Sequence, residues 1–413
     1  SGTWTDAVKG TSTLEYSTDG GTNWTNVTGL QSASGVTMSW NATIDVAEGS
    51  EKSIKFRATD LAGNTSDEAD YTFSGITFDF SVPVITFDSY VEKTNSSFIL
   101  SGTVSDILRI SSSKATITAT KDGTSRDVTP SWTAVTEDKS YRFSVTVPAS
   151  STNHENDGQW EFTVNASDEA GRNAAVATAS SLIDTKAPEL ETPSITIEES
   201  SKVSDITYFN QSNVIDFKID VKDDDDEITT SGVKAVQYAI SSGHTNLTYD
   251  AAKSASPSTI VADWAKLSEE EENSWEATIK ALQKAGNGEY VIFVRATDFA
   301  GNTADSSVIK LLADNISPVI SETDNIDKYI AVDEENKFEL SGTVSDTHLT
   351  AVTSSATVGN DSDSAESVVW DREANTWKIS QTIANDDSSH SFTYAITAKD
   401  LAGNTTTHNK TVY

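Results

Sequence analysis

Ala58-Thr-Asp-Leu-Ala-Gly-Asn64 has three further copies in the chain: Ala166-Ser-Asp-Glu-Ala-Gly-Arg-Asn173, Ala296-Thr-Asp-Phe-Ala-Gly-Asn302 and Ala398-Lys-Asp-Leu-Ala-Gly-Asn404. Each copy closes a run in which every second residue is apolar: Ile54, Phe56, Ala58; Phe162, Val164, Ala166; Ile292, Val294, Ala296; Phe392, Tyr394, Ile396, Ala398. Alternation at period two is the mark of a strand with one buried face. The Asp then ends the strand, and Gly63, Gly171, Gly301 or Gly403 supplies the positive φ of a tight turn. These glycines lie 108, 130 and 102 residues apart. That is about one β-sandwich per copy, so the sequence reads first as a tandem array.

Working outward, Ser1-Gly-Thr-Trp-Thr-Asp6 matches Ser101-Gly-Thr-Val-Ser-Asp106 and Ser341-Gly-Thr-Val-Ser-Asp346. The later two are preceded by Phe98-Ile-Leu100 and Phe338-Glu-Leu340, the first half of a strand. On that comparison the first repeat opens inside its second strand, and the chain is expected to be a piece of a longer protein. A second recurring stretch is Asp79-Phe-Ser-Val-Pro83-Val-Ile85, with Asp184-Thr-Lys-Ala-Pro188-Glu-Leu190 and Asp314-Asn-Ile-Ser-Pro318-Val-Ile320. Proline there opens a first strand, where its missing N–H does no harm. These stretches are the expected domain junctions, which divides the chain into 1–81, 82–186, 187–316 and 317–413.

Further strands are expected at Leu14–Tyr16, running into a Gly-Gly hairpin turn, at Trp40–Ile44 and at Tyr71–Phe73. The third repeat carries the strand Ile215, Phe217, Ile219, Val221 and an insertion from Tyr249 to Asn273, within which 262–272 reads as a short helix. Trp40, Tyr141, Trp275 and Trp377 precede their turn Asp by 20, 27, 23 and 23 residues, and are expected in the cores.

The pattern supports an all-β chain of four immunoglobulin-like or fibronectin-III-like β-sandwiches, laid end to end as an elongated rod. Seven to ten residues per strand at about 3.3 Å each predict a length on the order of 100–150 Å. In such a sandwich the entry of the first strand and the loops after Asp106 and at Asp168 share one pole, facing the preceding domain. Three acids then meet at each junction: Asp79, Asp106 and Asp168; Asp184, Asp223 (with 224–226 nearby) and Asp298; Asp314, Asp346 and Asp400. Like charges in one place repel unless a cation neutralises them, and Ca²⁺ takes six to eight hard oxygens. The competing reading is structural, since Asp before a Gly turn bonds its own backbone. The run 223–226 lacks the glycine an EF-hand needs.

The paired motifs resemble the tandem bacterial Ig-like domains of large surface adhesins. The resemblance implies an extracellular, cell-surface stalk for cell adhesion, with calcium stiffening the junctions. Arg172 inside the second motif and the insertions of the third repeat depart from that pattern.

Composition excludes several classes of function. The chain has 29 basic and 63 acidic residues, a net charge of −34, and no cysteine. Such a surface repels nucleic acid and anionic membranes, and disulfides and thiolate metal sites are excluded. No apolar run is long enough to span a membrane. The five histidines are scattered, and no H-E-x-x-H, G-x-S-x-G or phosphate-cradling loop occurs, so the segment reads as non-enzymatic. Expected partners are the neighbouring domains of the same chain, with host or surface glycan or protein bound elsewhere. Two alternatives remain: a glycan- or protein-binding module using Tyr249, Trp264 and the surrounding insertion, and an accessory array of a secreted enzyme.

Overall fold

A computed structural model describes residues 1–6, 11–28, 37–67, 71–198, 200–224, 229–306, 308–323, 335–359, 363–385 and 389–413. The chain forms two compact units, Ser1–Asp184 and Thr185–Tyr413. Nearly all regular structure is β-strand, arranged among the described residues as eight sheets that pack in four pairs.

The first unit holds two pairs. In the first, Gly2–Thr5 pairs with Thr37–Trp40, opposite a sheet ordered Thr25–Asn26, Thr11–Ser17, Gly49–Asp60, Thr72–Phe78. Its core is slight: Leu14, Val27 and Ala58 are buried, with Trp4, Tyr16 and Trp40 partly so. The strand expected at Trp40–Ile44 instead ends at Trp40, because Trp40 pairs with Gly2 and the ladder stops there. The second pair sets Ser131–Thr136, Ser140–Val147, Phe98–Ser105 and Val84–Phe87 against Thr124–Arg126, Ala115–Lys121, Gly158–Ala166, Ala177–Ile183 and Lys93–Thr94. Alternate residues enter the core from both sheets: Phe98, Leu100 and Phe143 from one, Ile117, Phe162 and Val164 from the other. Each such side chain contributes about 1.5–3 kcal/mol by leaving water.

In the second unit, Ile215–Lys222 pairs with Ser274–Thr278 and with the short strands Glu189–Leu190 and Ser194–Ile197. The facing sheet is built on Ile309–Ala313, Gly288–Asp298, Val233–Ser242 and Ile260–Lys266. Ile215, Phe217, Ile219 and Val221 are all buried there, as their alternation required. The last pair sets Val319–Glu322, Lys337–Ser345, Thr376–Thr382 and Val369–Asp371 against Leu349–Val358, Phe392–Asp400 and Thr405–Val412. Pro83, Pro188 and Pro318 each stand immediately before a strand.

The insertion differs from its reading as a helix at 262–272. Ile260–Lys266 and Ser268–Glu271 are strands. Ile260, Ala262 and Trp264 alternate inward, and Asn273, with φ of 65°, turns 268–271 back onto Ser274–Thr278. The one α-helix among the described residues is Tyr249–Ser254, where the Thr248 hydroxyl caps the N–H of Ala251.

The glycine of the Ser-Gly-Thr motif has a packing cause. Gly2, Gly102 and Gly342 pair directly with Trp40, Phe143 and Trp377. A Cβ on Gly342 would lie 2.0 Å from the Ser321 carbonyl oxygen and 2.5 Å from the Trp377 ring. On Gly102 it would lie 2.2 Å from the Thr86 oxygen and 2.6 Å from Phe143. The aromatic in register with Trp40 and Trp377 is therefore Phe143, which is fully buried, whereas Tyr141 is only half-buried.

Candidate metal centre

All four repeated turns fold alike. Gly63, Gly171, Gly301 and Gly403 have φ of 89°, 83°, 100° and 88°. The Asp N–H bonds the carbonyl four residues on, and its Oδ1 accepts that residue's N–H: Asn64 to Asp60, Arg172 to Asp168, Asn302 to Asp298 and Asn404 to Asp400, each at 2.8 Å. In three copies the Asn side chain also donates to Oδ2 at 2.7 Å. The turn-forming reading is thus physically satisfied. It does not use every lone pair of the carboxylate oxygens.

What distinguishes the copies is the company they keep. Within the second unit, Leu401 N donates to the His348 carbonyl (2.9 Å), and Asn404 Nδ2 donates to the Asp314 carbonyl (2.7 Å). From the preceding sheet pair, Ser201 N bonds the Leu401 carbonyl and Asn210 Nδ2 the Ala402 carbonyl. These contacts draw Asp314, Asp346 and Asp400 together from three separate segments. Asp314 and Asp400 are buried and Asp346 half-buried. Ligand atoms of Asp314, Asp346 and His348 lie within 4.8 Å of one another. Asp346 Oδ1 accepts the His348 N–H (2.7 Å), and the His348 ring Nδ1 meets Asp314 Oδ2 at 2.6 Å.

Burial, with the charges of Asp314 and Asp400, raises the Asp346 carboxyl above its usual range. Burial, with Asp314, raises Asp400. Asp60, in the same turn but less buried than Asp400, is lowered by the hydrogen bonds of Asn64. The two therefore respond oppositely to acid. A lowered carboxyl stabilises the fold above its unfolded pKa, and that stability is lost as pH falls through the folded value. A raised one weakens the fold as pH climbs from about 3.9 through the folded value. Acidification in chelator is expected to strengthen amide protection at Asn404 from about pH 7 to 4, and to weaken it at Asn64 only as the pH falls below about 4, after correction for intrinsic exchange. Parallel changes at the two amides would contradict this assignment.

In the first unit, Ser81 Oγ donates to Asp79 Oδ1 (3.1 Å) and reaches Asp106 Oδ1 at 3.5 Å. Asp106 Oδ1 also accepts the Leu108 N–H at 2.8 Å. Asp79 is raised by burial, with the charges of Asp106 and Asp168 adding to it. Asp168 is fully buried, and its Oδ2, like that of Asp106, has no hydrogen-bond partner. Arg172 explains this. It occupies the register position of Asn64, but its guanidinium turns to the carbonyls of Phe80 and Ser81. The remaining expected set is divided between the units: buried Asp184 closes the first, while Asp223 and Asp298, with carboxylate oxygens within 4.8 Å, lie in the second. Residues 225–226 of the acidic run, and 227–228 after it, lie outside the described residues.

Two residues near these sets were not singled out by sequence, His348 and Glu48. His348 follows Asp346 by two residues, a spacing with no signal of its own. Glu48 was detectable only as the acid before the glycine that opens its strand. All five histidines meet a carboxylate: Asp157, Glu289, Asp314, Asp363 and Glu322 in turn for His154, His244, His348, His390 and His408.

At the insertion, the Tyr249 and Trp264 rings pack with centroids 4.5 Å apart and planes tilted by 37°, and the Arg295 guanidinium sits 4.7 Å from the Trp264 ring. Tyr249 OH donates to Asp263 at 2.5 Å, and Lys253 reaches both. Trp264 is half-buried in a small cluster of its own. This arrangement buries Tyr249 and leaves Trp264 half-buried against it.

No protein-family model and no curated protein matches the chain. Among solved structures, a 1.5-MDa bacterial ice-binding adhesin aligns over 80% of this chain and 97% of its own, at 17% identity and TM-score 0.30. The tetra-tandem repeat in the extending region of a large adhesion protein covers 99% of this chain and 93% of its own, at 16% identity and TM-score 0.29. Fibronectin(III)-like modules of Clostridium thermocellum CbhA cover 53% and 93%, at 15% identity and TM-score 0.30. No helix among the described residues is long and apolar enough to cross a membrane.

Proposed function

We propose that the chain is a non-enzymatic, extracellular stalk segment of a bacterial surface adhesin, built of four Ig-like domains at 1–81, 82–186, 187–316 and 317–413. Calcium bound by the junction acids stiffens it. The observation that carries this reading is the gathering of Asp314, Asp346 and His348 within 4.8 Å of one another, with buried Asp400 close enough for its charge to raise Asp346. Two like charges about 4 Å apart repel by roughly 4 kcal/mol at an effective dielectric of 20. A hydrogen bond returns about 1 kcal/mol, so the turn bonds alone do not offset the repulsion. His348 supplies at most one positive charge against three carboxylates. A hard cation matches the carboxylate and turn-carbonyl oxygens available, and calcium tolerates the irregular geometry of loops better than magnesium. In this reading Asp79, Asp106 and Asp168 hold the ion of their own junction.

Calorimetric titration of the chelator-treated chain with calcium tests the proposal. Heat of binding at micromolar to millimolar calcium, in the range of extracellular modules, is expected. A flat titration would overturn it and leave the acids as turn-formers.

A further inference from the structure

Gly2, Gly102 and Gly342 hold the same place in their sheet pairs, each crossed by an aromatic of a pairing strand. On the other side of Gly102 and Gly342 runs a further strand. Val84–Phe87 pairs with Phe98–Ser105, setting Phe87 against Gly102, Thr86 against Thr103 and Ile85 against Val104. Val319–Glu322 pairs likewise with Lys337–Ser345, setting Glu322 against Gly342 and Ile320 against Val344. The strand Gly2–Thr5 differs. Among the described residues it pairs with Thr37–Trp40 alone. The three atoms nearest a Cβ built on Gly2 all belong to the Trp40 ring, whereas on Gly102 and Gly342 the nearest is a carbonyl oxygen of the further strand. The second edge of Gly2–Thr5 therefore offers backbone N–H and C=O groups in the geometry that a neighbouring strand takes up.

Beside that edge lies a trough of about 440 Å³, lined by Trp4, Leu14, Trp40, Phe56, Tyr71 and Phe73. Tyr71 is 52% exposed and Phe73 61%, so the trough shows apolar surface to water at a cost. In the other sheet pairs, side chains of the further strand cover the corresponding surface. Ile85 and Phe87 pack on the core of the second pair, with Phe87 edge-on to Phe143, their centroids 6.0 Å apart. Ile320 packs on the core of the last pair. Arg57, which also lines the trough, is held by Glu15 at 2.8 Å, so the lining calls for apolar side chains and not for a charged group.

We propose that this edge and trough form an acceptor site for one extended strand of another polypeptide, added to the sheet by backbone pairing. The strand is apolar at every second residue. In the register of Val84–Phe87, the residues opposite Gly2 and Trp4 enter the trough against Trp40, and those between them face water. The probe is a fluorescently labelled peptide of the sequence Val82–Asp88. Added to the full chain, it is expected to raise anisotropy saturably and to slow amide exchange along Gly2–Thr5. The peptide carrying Ile85→Ser and Phe87→Ser keeps the backbone and loses both apolar anchors. It is expected to bind about tenfold more weakly or worse. Phe73→Ser in the chain leaves buried Leu14, Val27 and Ala58 in place, and is expected to weaken the parent peptide severalfold. No change in anisotropy, or equal binding of the two peptides, would overturn the proposal. So would sedimentation that finds the chain dimeric and the Phe73→Ser variant monomeric, which gives the edge to a second copy.

Discussion

Trp377→Ala is expected to cost the last sheet pair about 3 kcal/mol or more. Trp377 is 1% exposed and packs with Leu340, Ile379 and Ile396 between the two sheets. Removing an indole forfeits about 4–6 kcal/mol of transfer energy, taking 150–250 Å² at 25 cal/mol/Å². One term runs the other way: Trp377 Nε1 is buried without a hydrogen-bond partner, and losing an unsatisfied donor returns about 1–3 kcal/mol. The residual cavity then adds to the net loss. The converse change, Gly342→Ala, drives a Cβ into the Ser321 carbonyl and the same ring, an overpacking worth about 1–3 kcal/mol. Hydrogen exchange of the strand Phe392–Asp400 in denaturant reads both locally, which matters in a chain whose sheet pairs need not unfold together. A loss below about 1 kcal/mol for Trp377→Ala would place the core elsewhere.

The second large effect is confined to calcium. Asp346→Ala removes one acceptor, the one that holds the His348 N–H, and one of three like charges. In chelator the relieved repulsion opposes the lost bond, so the last sheet pair stays folded with little change. In calcium the variant forfeits the ion. At free calcium one hundred times the dissociation constant, binding stabilises by about 2.7 kcal/mol, and that increment should vanish. Thermal unfolding in the two conditions measures it. Asp106→Ala is expected to behave likewise at its own junction. Unfolding of the variant in both conditions would show the acid to be a determinant of the fold.

Much of this was legible in the sequence, for definite reasons. The four strand-and-turn copies announce themselves because period-two alternation and a positive-φ glycine are local properties, read from neighbouring residues. The prolines before the first strands are local too. Register is not local. Tyr141 reads as the core aromatic of the second repeat, yet Phe143 faces Gly102, since the pairing of Ser140–Val147 with Phe98–Ser105 fixes which residue crosses the glycine. The strand at Ile260–Lys266 was hidden because Ala, Asp and Lys blur the alternation, and only pairing with Val233–Ser242 settles it. At the candidate site the recurring acids were visible as spacing. Glu48 and His348 were not, because each joins through contacts made across the fold.

The most direct measurement of the central claim is solution X-ray scattering of the full chain in millimolar calcium and again in excess chelator. If the junction acids hold calcium, the maximum dimension and the rigidity fall when the ion is removed and recover when it is restored. Superimposable curves in the two conditions would contradict the account, leaving Asp79, Asp106, Asp168, Asp314, Asp346 and Asp400 as shapers of turns alone.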